Sequence, residues 1–452
     1  MPDATAECSD RPHPFAAQKG RLALLTPSPR TRNTPPHRLR SAVTVAVLAT
    51  STALSGTAAS ASTARTSGPP DVDVAVEWYD VTADTIAAAG SSTQVTNSRT
   101  WAISWVSAAR ALRSGPRLRA FQDAALASAV RTSLVSLIPA RAAELDAAFA
   151  ATLARIPAGP SKDRGVAAGA EEATALLTER TDDGLDPASV NPPYPVPQAA
   201  PGVWQPTPPA LGPALQAGTR FARPFLLSRV DRFRPGPPPE LGSPEYRADL
   251  EEVRDYGAAN SIARTQAQTD IAQFWLGSSL TIYNGVLRAA LVQSRLPAPR
   301  KTELVALFHV ALVDTQIATS DTKYTYVRWR PVTALRAADT GHPSIPSDPA
   351  WTPLHTTPSH PDYPSGHNTY AGAAEQVLTS LVGSHSREPF ELTSPTAPGV
   401  TRTYTAWKVL TDENVDARVW SGIHTRSADQ AGVRLGRQVA SYALRHAARL
   451  FS

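Results

Sequence analysis

The sequence predicts an all-α protein, a large antiparallel helical bundle crossed by a proline-rich irregular strap. Apolar residues recur at helical spacing, alternating strand patterns are scarce, and 16 of the 42 prolines crowd into residues 187–244. A chain of 452 residues with 42% hydrophobic content can build a sizeable core. Its one cysteine, Cys8, excludes an intrachain disulfide framework and a cysteine metal site.

Residues 1–61 read as an export leader. Arg38 and Arg40 precede the apolar run 42–54, and Ala59, Ser60 and Ala61 fit a small-residue cleavage site. The leader holds seven Lys/Arg against three Asp/Glu, so most of the net charge of +5 lies there and a nucleic-acid partner loses its support. The expectation is a secreted protein with no integral membrane span in the mature chain. Residues 62–75, rich in Ser, Thr, Ala and Pro, read as a linker.

Residues 76–186 are the N-terminal helical half. Trp101, Trp105, Ala108 and Leu112 recur at near-helical spacing, as do Leu145, Phe149 and Leu153, and these stripes are read as core. Pro139 and Pro157 bracket the second stripe, and Ser161 is the expected N-cap of the next helix. In the strap, 187–244, the prolines exclude helix interior and central strand, while Trp204, Phe221, Phe225 and Phe233 argue against disorder. An ordered strap docking its aromatics on helices is expected, with a polyproline ligand for another protein as the alternative. Residues 245–452 are the second helical half. Ser243 before Pro244 marks a helix start. An amphipathic helix follows over 301–319 and ends at Ser320 and Asp321, with His309 beside its apolar stripe in a structural role.

Three blocks in this half carry chemistry. Lys323 stands seven positions before Arg330-Pro331, and the proline forces Arg330 out of the α region. Asp362 to His367 form a turn before a helical run, 368–381, which puts Ser365, Gly366 and His367 at a helix N-terminus that favours anions. Arg418 precedes His424 by six positions, with Gly422 permitting tight packing, and a helix over 428–450 closes the chain. Asp429 could hold the second ring nitrogen of His424. Lys323, Arg330 and Arg418 match the charge of a tetrahedral oxyanion, Ser365 and the Gly366 N–H add neutral donors, and His367 and His424 remain for proton transfer and bonding to the central atom. A serine hydrolase is the competing reading of the second block, but the Gly-x-Ser-x-Gly elbow is absent.

In order and spacing, these blocks resemble the signature of the vanadium haloperoxidase and type-2 phosphatidic acid phosphatase superfamily. The stretch from Trp329 through His367 is similar to secreted bacterial vanadium-dependent haloperoxidases, as are the helical N-terminal half and the strap. The resemblance implies a helical bundle of that type. It implies vanadate held by Lys323, Arg330, Ser365, Gly366 and Arg418, with His424 bonded to vanadium and His367 managing protons. Hydrogen peroxide, a halide and an organic acceptor would be the small-molecule partners. The same pocket fits a secreted acid phosphatase acting on phosphate esters, with His424 as nucleophile, His367 as acid and no cofactor. A non-catalytic oxyanion-binding protein is a third reading, which does not explain two histidines. The oligomeric state is not legible. There are departures from the family pattern. Ala417 stands where the signature has serine, Asp429 comes one residue late, and Ser320 stands where fungal chloroperoxidases have tryptophan. The position of His360, seven before His367, is phenylalanine in chloroperoxidases and histidine in algal bromoperoxidases, which points to bromide; a loop residue exposed to solvent is the alternative reading.

Overall fold

Helices make up most of the chain in the computed structural model, which describes residues 72–90 and 93–451. The leader, Cys8 and most of the linker lie outside the described residues. The N-terminal half comprises α1 (Val74–Ala88), α2 (Gln94–Ser114), α3 (Arg119–Leu137), α4 (Ala142–Arg155) and α5 (Pro160–Glu179). One short turn, α6 (Pro187–Val190), lies in the strap. Then come α7 (Pro244–Tyr256), α8 (Gln266–Phe274), α9 (Ser279–Gln293), α10 (Ala298–Tyr326), α11 (Pro331–Arg336) and α12 (Gly366–Val382). A hairpin of β1 (His385–Ser394) and β2 (Ala397–Ala406) precedes α13 (Trp407–Trp420) and α14 (Arg426–Arg445). Both halves and the strap fall in one unit, Gly68–Ser452. No helix among the described residues is long and apolar enough to cross a membrane.

Local chemistry explains the helix starts. Asp73 caps α1 by accepting the Ala75 N–H at 3.1 Å, so the helix begins inside the expected linker. Ser243 caps α7 as expected, with Pro244 in the first turn and the Tyr246 N–H bonded at 3.2 Å. Ser161 is not a cap: α5 starts one residue earlier, at Pro160, whose fixed φ and missing N–H suit a first position, and Gly159 precedes it.

The centre of the fold is α10. Every residue from Leu304 to Tyr324 is buried, so this helix is not amphipathic but is enclosed on all faces. It packs against α2, whose Trp101 and Trp105 are fully buried, and against α12 and α14. His309 stacks on Trp101 at 4.6 Å, and burial holds its imidazole neutral, its pKa well below the ordinary value. Its role is structural. The helix does not stop at Asp321 but runs to Tyr326, so Lys323 lies on a rigid, buried turn. The chain then reverses through Val327, which has a left-handed φ of 48°. That conformation is unfavourable for a β-branched side chain. The strap holds it, with Trp204 N–H donating to Val327 O at 2.7 Å and Trp329 N–H to Gly202 O at 2.9 Å.

Much of the strap is tied down by charge and hydrogen bonding. Buried Asp314 of α10 accepts the N–H groups of Phe225, Leu226 and Leu227 at 2.7, 2.8 and 2.7 Å. Arg234 forms a two-pronged pair with Asp321, both contacts at 2.8 Å. Trp204 is fully buried, Phe225 lies under the Arg180 guanidinium at 4.0 Å, and Phe233 meets Tyr442 edge-on at 5.7 Å. Phe221 departs from expectation and is 75% exposed.

Helices α12 and α14 approach through glycines. A Cβ on Gly436 would lie 2.2 Å from Thr369 O, and one on Gly432 2.6 Å from Ser365 O. This contact presses α14 against the Ser365 corner. The hairpin was not expected. Only Phe390, Leu392 and Ser394 of β1 are buried in alternation, too short a pattern to stand out among charged neighbours.

Candidate active site

The three blocks converge at the end of α10, the start of α12 and the turn between α13 and α14. A cavity of about 180 Å³ opens there, with Lys323, His360, Gly366, His367 and His424 in its wall. Each member is placed by an element with its own reason to form. Lys323 projects from the last turns of α10 and donates to Pro361 O and, at 3.0 Å, Asp362 O. Arg330 is extended (φ −84°, ψ 155°) before Pro331, as the proline requires. Its fork donates to His360 O at 2.7 Å and to Ile423 O at 2.5 Å, and Nη1 reaches His424 Nε2 at 3.1 Å. Arg328 of the same block turns away to stack on Tyr246 and bond Pro239 O.

Ser365 and Gly366 form the N-terminus of α12, whose first turn has no side-chain cap. Ser365 N–H donates to Ala428 O at 2.9 Å, which fixes the corner against α14. Nε of Arg418 is buried with no hydrogen-bond partner, its Nη1 donates to Trp275 O at 3.1 Å, and Ser365 Oγ is buried beside the Asp429 carboxyl. Gly422, at φ 75°, lets the chain turn where a Cβ would lie 2.3 Å from Gly257 O.

The electrostatics suit an anion. Burial pushes Arg330 and Arg418 down to about 10 and lowers Lys323 well below its ordinary value, with Arg330 adding repulsion. Unpaired buried donors cost about 1–3 kcal/mol each, more when charged. A bound tetrahedral oxyanion would satisfy Arg418 Nε, Ser365 Oγ and the free N–H groups of α12 together, and would offset the three cations. Among the described residues no group of three or more His, Cys, Asp or Glu could hold a bare metal ion. Three cations with neutral N–H and O–H donors suit vanadate or phosphate.

Both histidines have defined tautomers. Burial and the neighbouring cations hold His424 and His367 neutral, well below the ordinary histidine range. His367 Nε2 lies 3.1 Å from Gly277 O, which can only accept, so Nε2 carries the proton and Nδ1 is the free base. His424 Nδ1 lies 2.6 Å from Asp362 Oδ1, and Asp362 Oδ2 accepts from Thr425 Oγ1 at 2.8 Å. His424 thus donates through Nδ1 and keeps a lone pair on Nε2.

This corrects the expected role of Asp429. Its carboxylate does not pair with His424. Oδ1 accepts from Asn368 Nδ2 at 2.7 Å, and burial raises the carboxyl well above the usual range against the pull of the Ser365 hydroxyl and the Asn368 amide. One helical position too late, it faces α12 instead. The carboxylate that holds His424 is Asp362, which sequence reasoning quoted only as part of a turn. Its signal was present, since it lies in the second block two residues before Pro364. His360 is no solvated loop residue: it is half-buried, and its Nδ1 lies 3.0 Å from Arg330 Nη2.

The VCPO second helical-bundle domain matches residues 303–452, which contain every block. The vanadium chloroperoxidase of Curvularia inaequalis is 26% identical over 283 residues, with 46% of each chain covered. The chain thus spans about half the length of this curated relative. The first bacterial vanadium-dependent iodoperoxidase superposes with a TM-score of 0.71 at 23% identity, covering 83% of this chain and 97% of that one. A holo-type bacterial vanadium-dependent chloroperoxidase superposes with a TM-score of 0.64 at 17% identity, covering 85% and 99%. The matched domain thus spans all three blocks, and the bundle as a whole has the fold of these vanadium haloperoxidase structures.

Proposed function

We propose that the protein is a vanadate-dependent haloperoxidase that oxidises halide with hydrogen peroxide, bromide being favoured. The observation that carries this is the cluster of three buried cations, one with an unpartnered donor at Arg418 Nε, at an uncapped helix N-terminus. The fold shared with haloperoxidases supports that branch over the phosphatase one. The relatives are named for iodide and chloride, so bromide rests on His360 in the cavity wall.

When bound, vanadate supplies Lewis-acid activation of hydrogen peroxide without a change of oxidation state. The chain's residues do the rest. Lys323, Arg330 and Arg418 neutralise the oxyanion and draw charge from its oxygens. Ser365 Oγ and the Gly366 N–H orient it. His424 offers its Nε2 lone pair, fixed on that nitrogen by the Nδ1–H bond to Asp362, as Arg330 Nη1, which lies 3.1 Å from it, gives its donor over to the oxyanion. His367 takes a proton from hydrogen peroxide at Nδ1, since its Nε2–H is held by Gly277 O.

A paired assay tests the reading. Protein loaded with orthovanadate is expected to brominate a diketone reporter in the presence of peroxide and bromide, and His424→Ala to abolish that turnover. Aryl-phosphate hydrolysis that vanadate inhibits, without bromination, would establish the phosphatase instead. Export is a further part of this proposal, supported by Arg38, Arg40, the apolar run 42–54 and the small residues 59–61. N-terminal sequencing of protein recovered from the medium should begin shortly after Ala61. A retained leader overturns that part.

A further inference from the structure

The cradle for the oxyanion leaves one part of the cavity wall unexplained. Leu215 and Gln216 of the strap also line it. Gln216 adopts a left-handed φ of 60°. For a residue other than glycine this costs roughly 1–2 kcal/mol, and such strain persists only where the surroundings enforce it. Here they do. Gln216 N–H donates to Asn191 Oδ1 at 2.7 Å, and Gln216 O accepts from Ser320 Oγ at 2.7 Å. Next to it, Leu215 N–H donates to Ser359 O at 2.8 Å, and Leu215 O accepts from Tyr324 Oη. Four hydrogen bonds from three separate segments therefore hold one strained residue over the cavity. Its carboxamide makes no hydrogen bond, unlike Gln316 and Gln94 in the same wall, which bond Thr369 Oγ1 and Leu280 N–H.

We propose that Gln216 binds the organic acceptor, a neutral molecule carrying a carbonyl, enol or phenol oxygen on an apolar body. A carboxamide donates and accepts without charge, which matches that group. A cavity of about 150 Å³ is filled by one benzene ring, so about 180 Å³ cannot enclose both an oxyanion and a ring. The acceptor body therefore lies across the mouth, on Leu215, which is 41% exposed, and Pro358. The acceptor's π electrons form the carbon–halogen bond as the halogen–oxygen bond of hypohalous acid breaks. The displaced proton joins the released hydroxide as water.

The inference rests on the haloperoxidase reading, and the test separates the two. Gln216→Gly removes the carboxamide and relieves the backbone, so its melting temperature should not fall. Its KM for a phenol acceptor, at saturating peroxide and bromide, should rise about tenfold, the worth of one good hydrogen bond, with kcat changed less than twofold. Gln216→Asn, which tolerates the left-handed backbone and keeps an amide, should recover part of the loss. Phenol titrated calorimetrically into the phosphate-loaded, vanadate-free full chain should bind about tenfold more weakly to Gln216→Gly. Unchanged KM and unchanged phenol affinity would overturn the inference while leaving bromide oxidation intact. If wild-type protein does not oxidise bromide, the haloperoxidase reading fails, and the calorimetric comparison still decides the role of Gln216.

Discussion

Replacing Asp362 with alanine is expected to lower oxyanion affinity and kcat/KM by about 100-fold, the upper end for a group that orients a metal-bound histidine. Asp362 is 1% exposed, and its two oxygens serve His424 Nδ1 and Thr425 Oγ1 at 2.6 and 2.8 Å. Its removal strands two buried donors and frees the imidazole to rotate or change tautomer. Burial raises the Asp362 carboxyl, while Arg330 and Lys323 pull it back toward ionisation. Asp362→Asn keeps the volume but loses charge and one acceptor, so a loss nearer tenfold is expected. Phosphate titration of the vanadate-free protein and nitrogen chemical shifts of His424 provide readouts independent of turnover. The shifts should report Nδ1–H in the wild type and mixed tautomers in Asp362→Asn. Should Asp429→Asn scramble the tautomer while Asp362→Asn leaves it fixed, the assignment is reversed.

The second large effect is on stability. Asp314→Ala is expected to destabilise the fold by about 3 kcal/mol or more, since three buried N–H groups lose a charged acceptor at once. The bonds to Phe225, Leu226 and Leu227, at 2.7–2.8 Å, are the short, charge-assisted kind. Asp314→Asn offers one oxygen in place of two and should fall between. Thermal melts followed by circular dichroism give the size. Limited proteolysis gives the place, with early cleavage expected between Arg220 and Arg234. A variant that melts with the wild type and resists protease would show that the strap is held by its aromatics alone.

Periodicity made the helical architecture legible, because a buried helix face leaves a pattern in Trp101, Trp105, Ala108 and Leu112 that no tertiary knowledge is needed to read. The residues that converge on the cavity were legible too, since Lys323, Arg330, Ser365, Arg418 and His424 sit in tight local blocks. What escaped depended on distance in sequence. Asp362 reaches His424 across 62 residues, and only the folded chain shows that it, and not Asp429, faces the ring. Gln216 reaches the cavity from a proline-rich stretch whose composition says nothing of where it docks. The end of α10 was misjudged because Ser320, Asp321 and Thr322 look like helix breakers. In the fold, Ser320 Oγ bonds Gln216 O and Asp321 pairs with Arg234, so neither competes for the helix backbone.

Val327 has a consequence for modularity. It reverses the chain between Lys323 and Arg330 in a conformation its side chain disfavours, and the strap's Trp204 N–H and Gly202 O hold the flanking backbone there. The spacing of two of the three cradle cations is therefore set by a segment more than a hundred residues upstream. Residues 245–452 carry every catalytic motif, yet they are not a transplantable catalytic cassette. Cut away from the strap, the reversal would relax toward a right-handed backbone and the two cations would drift apart. A functional unit cut from this protein would have to start before residue 202.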